Sequence, residues 1–283
     1  MEILLVFLLV IAAAALLAVV YVLMIAPRIK RPAVLREYIG KAFAHRGLHD
    51  ASQDVPENTL AAFARAADNG YGMEFDVRLT KDGVPVVMHD DDLERMTGVR
   101  SKISELTMDE LGTVRVGGTD QRVPRFEQVL ELVGGRVPLI IELKVCGSNH
   151  AKLARTVCTI LDEYSGPYVI ESFDPRLVRW LRGHRPDIVR GQLLEHYRRH
   201  GGTQVPAVVD FVIHNQLINC WVRPDFIAAN HDDRDLLAMK LARRIYRTPE
   251  IDWTVKNQTQ ADVSRRDGAA YIFEGFIPVP HTK

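Results

Sequence analysis

EFDVRLTKDGVPVVMHDDD, residues 74–92, decides how the strands of this chain are counted. The Asp82-Gly83 pair is a tight-turn signal between two apolar, strand-like runs. A two-residue turn joins antiparallel strands, so 84–89 returns over 73–79 and is not a member of a parallel sheet. Outside it, strand patterns fall at 42–45, 73–79, 138–144, 168–173, 189–194, 226–230, 251–255 and 270–275. Helical patterns lie between them at 58–68, 125–133, 151–163, 175–183, 205–218, 233–246 and 258–267. Strands alternating with helices of this length indicate βαβ units and a parallel sheet. With the return strand set aside, eight parallel strands remain, and they predict an α/β fold, a (β/α)8 TIM barrel with a rim β-hairpin. The charged, glycine-containing stretch 91–122 is expected as a small insertion after the second strand.

The 283 residues suit one such barrel, and the 36 basic and 36 acidic residues cancel, which excludes a field that draws in nucleic acid. Cys146, Cys158 and Cys220 lack metal-type spacing, and an odd count does not make a disulfide framework. From Ile3 to Ile25 no residue is charged. As a helix this run reaches about 34 Å, enough to cross a bilayer. Met1-Glu2 supplies no basic region of the kind that opens a cleaved signal, so the run is expected to be a transmembrane anchor. Arg28, Lys30, Arg31 and Arg36 follow it, and by the positive-inside tendency they keep that end cytoplasmic and the N-terminus outside. The expected organisation is an anchor at 1–27, a juxtamembrane linker at 28–40 and a catalytic barrel at 41–283, a single-pass membrane protein.

If Asp82 and Gly83 are the two loop residues, Lys81 faces Val84 and Asp76 stands opposite His89. Strand side chains alternate, so Glu74 shares the face of Asp76. Other strand ends add ionisable groups: His45 and Arg46 after AFA, Glu142 and Lys144 at the end of PLIIELK. Barrel sites sit at the carboxyl ends of the strands, and charges that end apolar strands need partners. Three carboxylates without a cysteine suit a hard divalent cation, Mg²⁺ or Ca²⁺. Two histidines suit an acid and base pair, and Arg46 with Lys144 suits an anionic phosphate. Together they describe phosphodiester cleavage better than glycoside hydrolysis, which asks mainly for two carboxylates.

AHRG at 44–47, PENTLAAF at 56–63, EFDVRLTKDGVPVVMHD at 74–90, ELK at 142–144 and WTV at 253–255 resemble the glycerophosphodiester phosphodiesterase family, in order, from Lys41 to Pro280. The resemblance implies hydrolysis of glycerophosphodiesters to sn-glycerol 3-phosphate and an alcohol. It implies His45 and His89 as general acid and base, with the glycerol 2-hydroxyl attacking phosphorus and water opening a cyclic phosphate. It implies Glu74, Asp76 and Glu142 as metal ligands, and Arg46 and Lys144 on the phosphate. Glu57 and Asn58 lie in its PENT loop: Glu57 is a candidate for metal or substrate contact, and Asn58 is expected to cap the next helix. Trp253 is a candidate pocket wall. Lys256 replaces the usual asparagine of WTVN, and IFEGFIP replaces an aspartate-bearing end, which makes Glu274 a candidate substitute. Asp90, Asp91 and Asp92 are expected as solvated loop, with Asp90 able to orient a histidine. His49, His150, His184, His196, His200, His214, His231 and His281 have no supporting partner in the sequence. A lysophospholipase D acting on membrane lysolipids is the alternative activity, and an inactive binding barrel the alternative class. The head group and the oligomeric state are not legible.

Overall fold

Alternation of apolar residues along short β-branched runs gives each strand one face for an outer layer of helices and one for the barrel interior. The structure, a computed structural model, describes residues 1–30, 32–50, 52, 54–202 and 205–279. Arg31, Pro280 and His281 lie outside them. Its strands are β1 Ala42–His45, β2 Gly72–Leu79, β3 Pro85–Val87, β4 Leu139–Leu143, β5 Tyr168–Ser172, β6 Arg190–Leu194, β7 Phe226–Asn230, β8 Glu250–Val255 and β9 Ala270–Phe273. All but β3 are parallel, in the order β1-β9-β8-β7-β6-β5-β4-β2, and the β1–β2 pairing closes the ring. β3 pairs antiparallel with β2, and with no other strand among the described residues, and is the rim hairpin.

The register of that hairpin differs from the expected one by a residue. Val77 pairs with Val87 and Leu79 with Pro85, and the Met88 N–H donates to the Asp76 carbonyl at 3.0 Å, so Asp76 stands opposite Met88 and not His89. The loop is Lys81-Asp82-Gly83, with Gly83 at φ +88. Thr80 causes the shift. Its backbone N–H bonds the Val84 carbonyl, and its hydroxyl takes the Val84 N–H at 2.9 Å, which stabilises a three-residue turn over a two-residue one. His89 lies past the end of β3, where Arg78 grips its carbonyl at 2.7 and 2.9 Å and turns the chain.

The outward faces of β2 and β4 (Phe75, Val77, Leu79, Leu139, Ile141, Leu143) pack with the helices Leu60–Asp68, Phe126–Val133 and His150–Leu161. The helix Leu60–Asp68 buries Ala62, Phe63, Ala66 and Ala67, a stripe at helical spacing, and Phe63 meets Phe75 edge-on at 5.3 Å. A second cluster fills the amino end of the barrel, with Phe43, Ile140, Val169, Leu193, Phe226, Ile251 and Ile272. Leu35 and Tyr38, from the stretch expected as a linker, complete this floor: Tyr38 stacks on Phe43 at 5.3 Å and donates to the Leu139 carbonyl at 3.0 Å. The stretch after the hairpin carries its own small core of Leu93, Ile103, Met108, Leu111 and Val116 against Val86 and Met88.

The apolar run forms a helix, Glu2–Met24, of 23 residues with no charge after Glu2 and no buried residue. Its carboxyl end is keyed to the barrel: Tyr246 donates to the Val22 carbonyl at 2.7 Å, and the Arg28 N–H to the Pro224 carbonyl at 2.9 Å.

Candidate active site

The inward residues of β2 and β4 change character toward their carboxyl ends. Glu74, Asp76 and Glu142 are each buried, and one ligand oxygen from each lies within 4.8 Å of the others. Parallel pairing sets Asp76 beside Glu142 in register, and Glu171 on β5 continues the row. Lys144 bridges two of the acids, Nζ to Asp76 Oδ1 at 3.2 Å and to Glu142 Oε1 at 2.9 Å. Arg46 follows β1 with φ +55; its N–H donates to Glu74 Oε2 at 3.3 Å and its guanidinium lies 3.6 Å from Asp76.

These environments split the four acids. Burial pushes Glu74 and Glu171 well above the usual carboxylate range, and the neighbouring carboxylates push the same way. Glu142 is also raised by burial, against the pull of Lys144. Burial works on Asp76 too, but Lys144, His89, Arg46 and an amide hydrogen bond from Asn58 outweigh it and hold Asp76 far below. Burial lowers Lys144, yet Glu142 and Asp76 keep it firmly charged.

Each expected histidine carries a carboxylate on Nδ1. His45 Nδ1 lies 3.3 Å from Glu274 and its Nε2 is 3.8 Å from Glu74. His89 Nδ1 lies 2.7 Å from Asp90, and burial pushes its pKa down while Asp76 opposes that. Hydrogen bonds from His45 and His49 hold Glu274 well below its ordinary value. Glu57 is not in the carboxylate cluster: it binds Arg46 at 2.8 Å and Arg95 at 2.7 Å, and Arg95 reaches Asp90 at 2.5 Å. Trp253 lines a cleft of about 130 Å³ with His45, Arg46, Glu74, Glu142 and Phe173. It meets Phe173 edge-on, and its buried Nε1 has no hydrogen-bond partner among the described residues. Lys256 is exposed.

Two residues escaped the sequence reading. Asn58 does not cap the helix; Thr59 does, accepting the Ala62 N–H, while Asn58, at φ +56, sends Nδ2 to Asp76 Oδ2 at 2.9 Å. Glu171 was overlooked although an acid near the end of YVIESF is the same signal that found Glu142. Asp90 stands on His89 as the sequence allowed, while His49, without a partner in the sequence, meets the Glu274 carboxylate that braces His45.

A closed (β/α)8 barrel with an ionisable cluster at the carboxyl ends of its strands defines the class of TIM-barrel proteins with a site at the C-terminal mouth. Residues 45–269 match the glycerophosphoryl diester phosphodiesterase family, and the chain belongs to that family. A glycerophosphodiester phosphodiesterase of Caldanaerobacter subterraneus subsp. tengcongensis is 33% identical over 162 residues, 54% of this chain and 65% of that protein. Glycerophosphodiester phosphodiesterase 1 of Homo sapiens is 29% identical over 158 residues, 52% of this chain and 47% of that protein. The chain thus spans from about half to just under two thirds of these relatives. The crystal structure of a glycerophosphodiester phosphodiesterase from Thermotoga maritima superposes with a TM-score of 0.63 at 27% identity, covering 82% of this chain and 93% of that one. An Oleispira antarctica phosphodiesterase, in complex with the product sn-glycerol-3-phosphate, shares the fold with a TM-score of 0.68 at 21% identity, over 84% of this chain and 93% of that one.

Proposed function

We propose that this protein hydrolyses glycerophosphodiesters to sn-glycerol 3-phosphate and an alcohol. The observation that carries the reading is the convergence of Glu74, Asp76 and Glu142 at the barrel mouth, between two carboxylate-braced histidines and beside Arg46 and Lys144. The donor set fits a divalent cation: all three groups are oxygen donors, mutually within reach, and burial disfavours the charge of Glu74 and Glu142 without one. Glu74, Asp76 and Glu142 would hold Mg²⁺ or Ca²⁺, which supplies charge neutralisation at the phosphoryl oxygens.

The chain's own groups do the rest. With Nδ1–H donated to Glu274 and to Asp90, the Nε2 atoms of His45 and His89 are left to accept or give a proton. One takes the proton of the attacking glycerol 2-hydroxyl and the other protonates the leaving alkoxide; their roles exchange when water opens the cyclic phosphate. Arg46 and Lys144 stabilise the charge that builds on phosphorus oxygens. Asn58 holds Asp76 in place, Glu57 holds Arg46, and the Trp253 Nε1–H is a spare donor at the cleft wall. The test is release of glycerol 3-phosphate from glycerophosphocholine by the purified protein. It should stop on chelation and in His45→Ala and Glu74→Gln; wild type inactive on every glycerophosphodiester with added Mg²⁺ or Ca²⁺ defeats the reading.

A lysophospholipase D activity is supported by a groove of about 560 Å³ beside His45, whose wall includes the apolar Leu48, Phe273, Phe276 and Ile277 alongside Asp50 and Arg65. Choline released from lysophosphatidylcholine and not from glycerophosphocholine would put that activity first. Membrane anchoring through Glu2–Met24, with the barrel on the cytoplasmic side, is part of the same proposal. Protease that digests the barrel from outside intact cells would reverse the orientation.

A further inference from the structure

The helix Ala207–His214 is built inside out. Val208, Val209 and Phe211 are exposed, while Asp210 is 1% exposed. Asp210 Oδ1 has no hydrogen-bond partner among the described residues, and a buried carboxylate is costly unless paired or bound to a cation. His214 stands one helical turn on, on the same face, and His196 reaches in from the loop after β6.

We propose that His196, Asp210 and His214 form a second cation site, of the zinc class, separate from the carboxylate cluster at the barrel mouth. One ligand atom from each residue lies within 4.8 Å of the others. Asp210 Oδ2 is 3.4 Å from His196 Nε2 and 3.7 Å from His214 Nδ1, contacts too long or misaligned to serve as hydrogen bonds. They match the edge of a tetrahedron, about 3.4 Å, for ligands roughly 2.1 Å from a central ion. The two imidazoles face each other at 4.0 Å between centroids, and the buried Nδ1 of His214 has no hydrogen-bond partner among the described residues. Two imidazoles and one carboxylate suit a borderline ion such as Zn²⁺, whereas Mg²⁺ and Ca²⁺ prefer an all-oxygen set.

The surroundings brace this set. The His196 N–H donates to Asp233 Oδ2 at 2.7 Å, and Asp233, fully buried, also takes His200 at 3.1 Å. These bonds run to the His196 backbone N–H and to the His200 ring, so they fix the loop that carries His196. Next in the chain, Tyr197 packs its ring 6.2 Å from Phe173, which lines the catalytic cleft. Zinc at this position therefore fastens the rim loop after β6 against the wall of the cleft.

The experiment uses the full-length protein in detergent, stripped with chelator and equilibrated with Zn²⁺, with metal counted per chain and Co²⁺ used as a visible-absorbing substitute. Wild type and Glu74→Gln should both show the Co²⁺ band of a nitrogen-bearing site, and both should unfold later with Zn²⁺. His196→Ala/His214→Ala should lose about one zinc per chain and that band. His214→Gln keeps the length of the side chain; it should match the far-ultraviolet circular dichroism of the stripped wild type and still lose the same metal. Zinc retained by His214→Gln as in wild type, or a wild type that binds zinc only where Glu74→Gln does not, overturns the assignment.

Discussion

Tyr38 tests whether residues 33–38 belong to the barrel or merely lead into it. Its side chain is 2% exposed, stacks on Phe43 and donates to the Leu139 carbonyl at the amino end of β4. Truncating a buried aromatic to alanine costs about 3–5 kcal/mol, from lost transfer energy and the void left behind. The hydrogen bond alone is worth about 0.5–1.5 kcal/mol, so Tyr38→Phe isolates it. Tyr38→Ala is expected to lose about 4 kcal/mol, roughly a 1.3 M fall in the urea midpoint at a slope of about 3 kcal/mol/M. Tyr38→Phe should lose about 1 kcal/mol. Unfolding followed by tryptophan fluorescence in urea measures both. Phosphodiesterase activity below the transition should match wild type, because Tyr38 lies at the opposite end of the strands from His45 and Glu142. A loss below about 1 kcal/mol for Tyr38→Ala, the size of an ordinary surface change, would show that the stretch is a tether and not a floor.

Other outcomes follow from the mouth of the barrel. Asn58→Ala should weaken the activating cation about 10–100-fold, read from activity against metal concentration, since Asp76 loses the amide that fixes it. His45→Ala should lower kcat about 10²–10⁴-fold in steady-state assays, the range for a proton-transferring group. Asp90→Asn should reduce kcat more than it raises KM, because it disturbs the orientation of His89 and not the phosphate contacts. Gly47→Ala should destabilise by at least about 1–2 kcal/mol in urea unfolding: Gly47 has φ +82, and an added Cβ would sit 2.8 Å from that of Ala62.

The strand count was legible because Asp82-Gly83 marks an antiparallel return whatever the details of its loop, and removing one candidate leaves a closed ring. The register was not legible, because Thr80 decides it through a side-chain hydrogen bond that no dipeptide rule contains. His45, Arg46, Glu142 and Lys144 could be picked out since each ends or follows an apolar strand, and Glu74 and Asp76 since they share one face of the hairpin strand; parallel pairing then brings them together. Asn58 could not: an asparagine before a helix reads as a cap, and only its left-handed backbone hands that task to Thr59. His196 and His214 are far apart in sequence and meet across a loop and a helix, so HYRRH reads as mere surface basicity.

One inward stripe per strand carries both stability and chemistry. On β4 and just beyond, Ile140 belongs to the apolar floor, Glu142 to the acid row and Lys144 to its neutralisation. From β5 come Val169 in the floor and Glu171 in the row; from β9 and the residues after it, Ile272 in the floor and Glu274 against His45. The row therefore holds Glu74, Asp76, Glu142 and Glu171 against Lys144 and Arg46, an excess of acid that burial makes unfavourable. The apolar floor beneath it is closed by Phe43, Tyr38 and Phe226 and contains no ionisable carboxylate. On the proposed reading, a compact divalent charge would relieve that excess most, and a neutral ligand that leaves the acids unpaired would relieve it least.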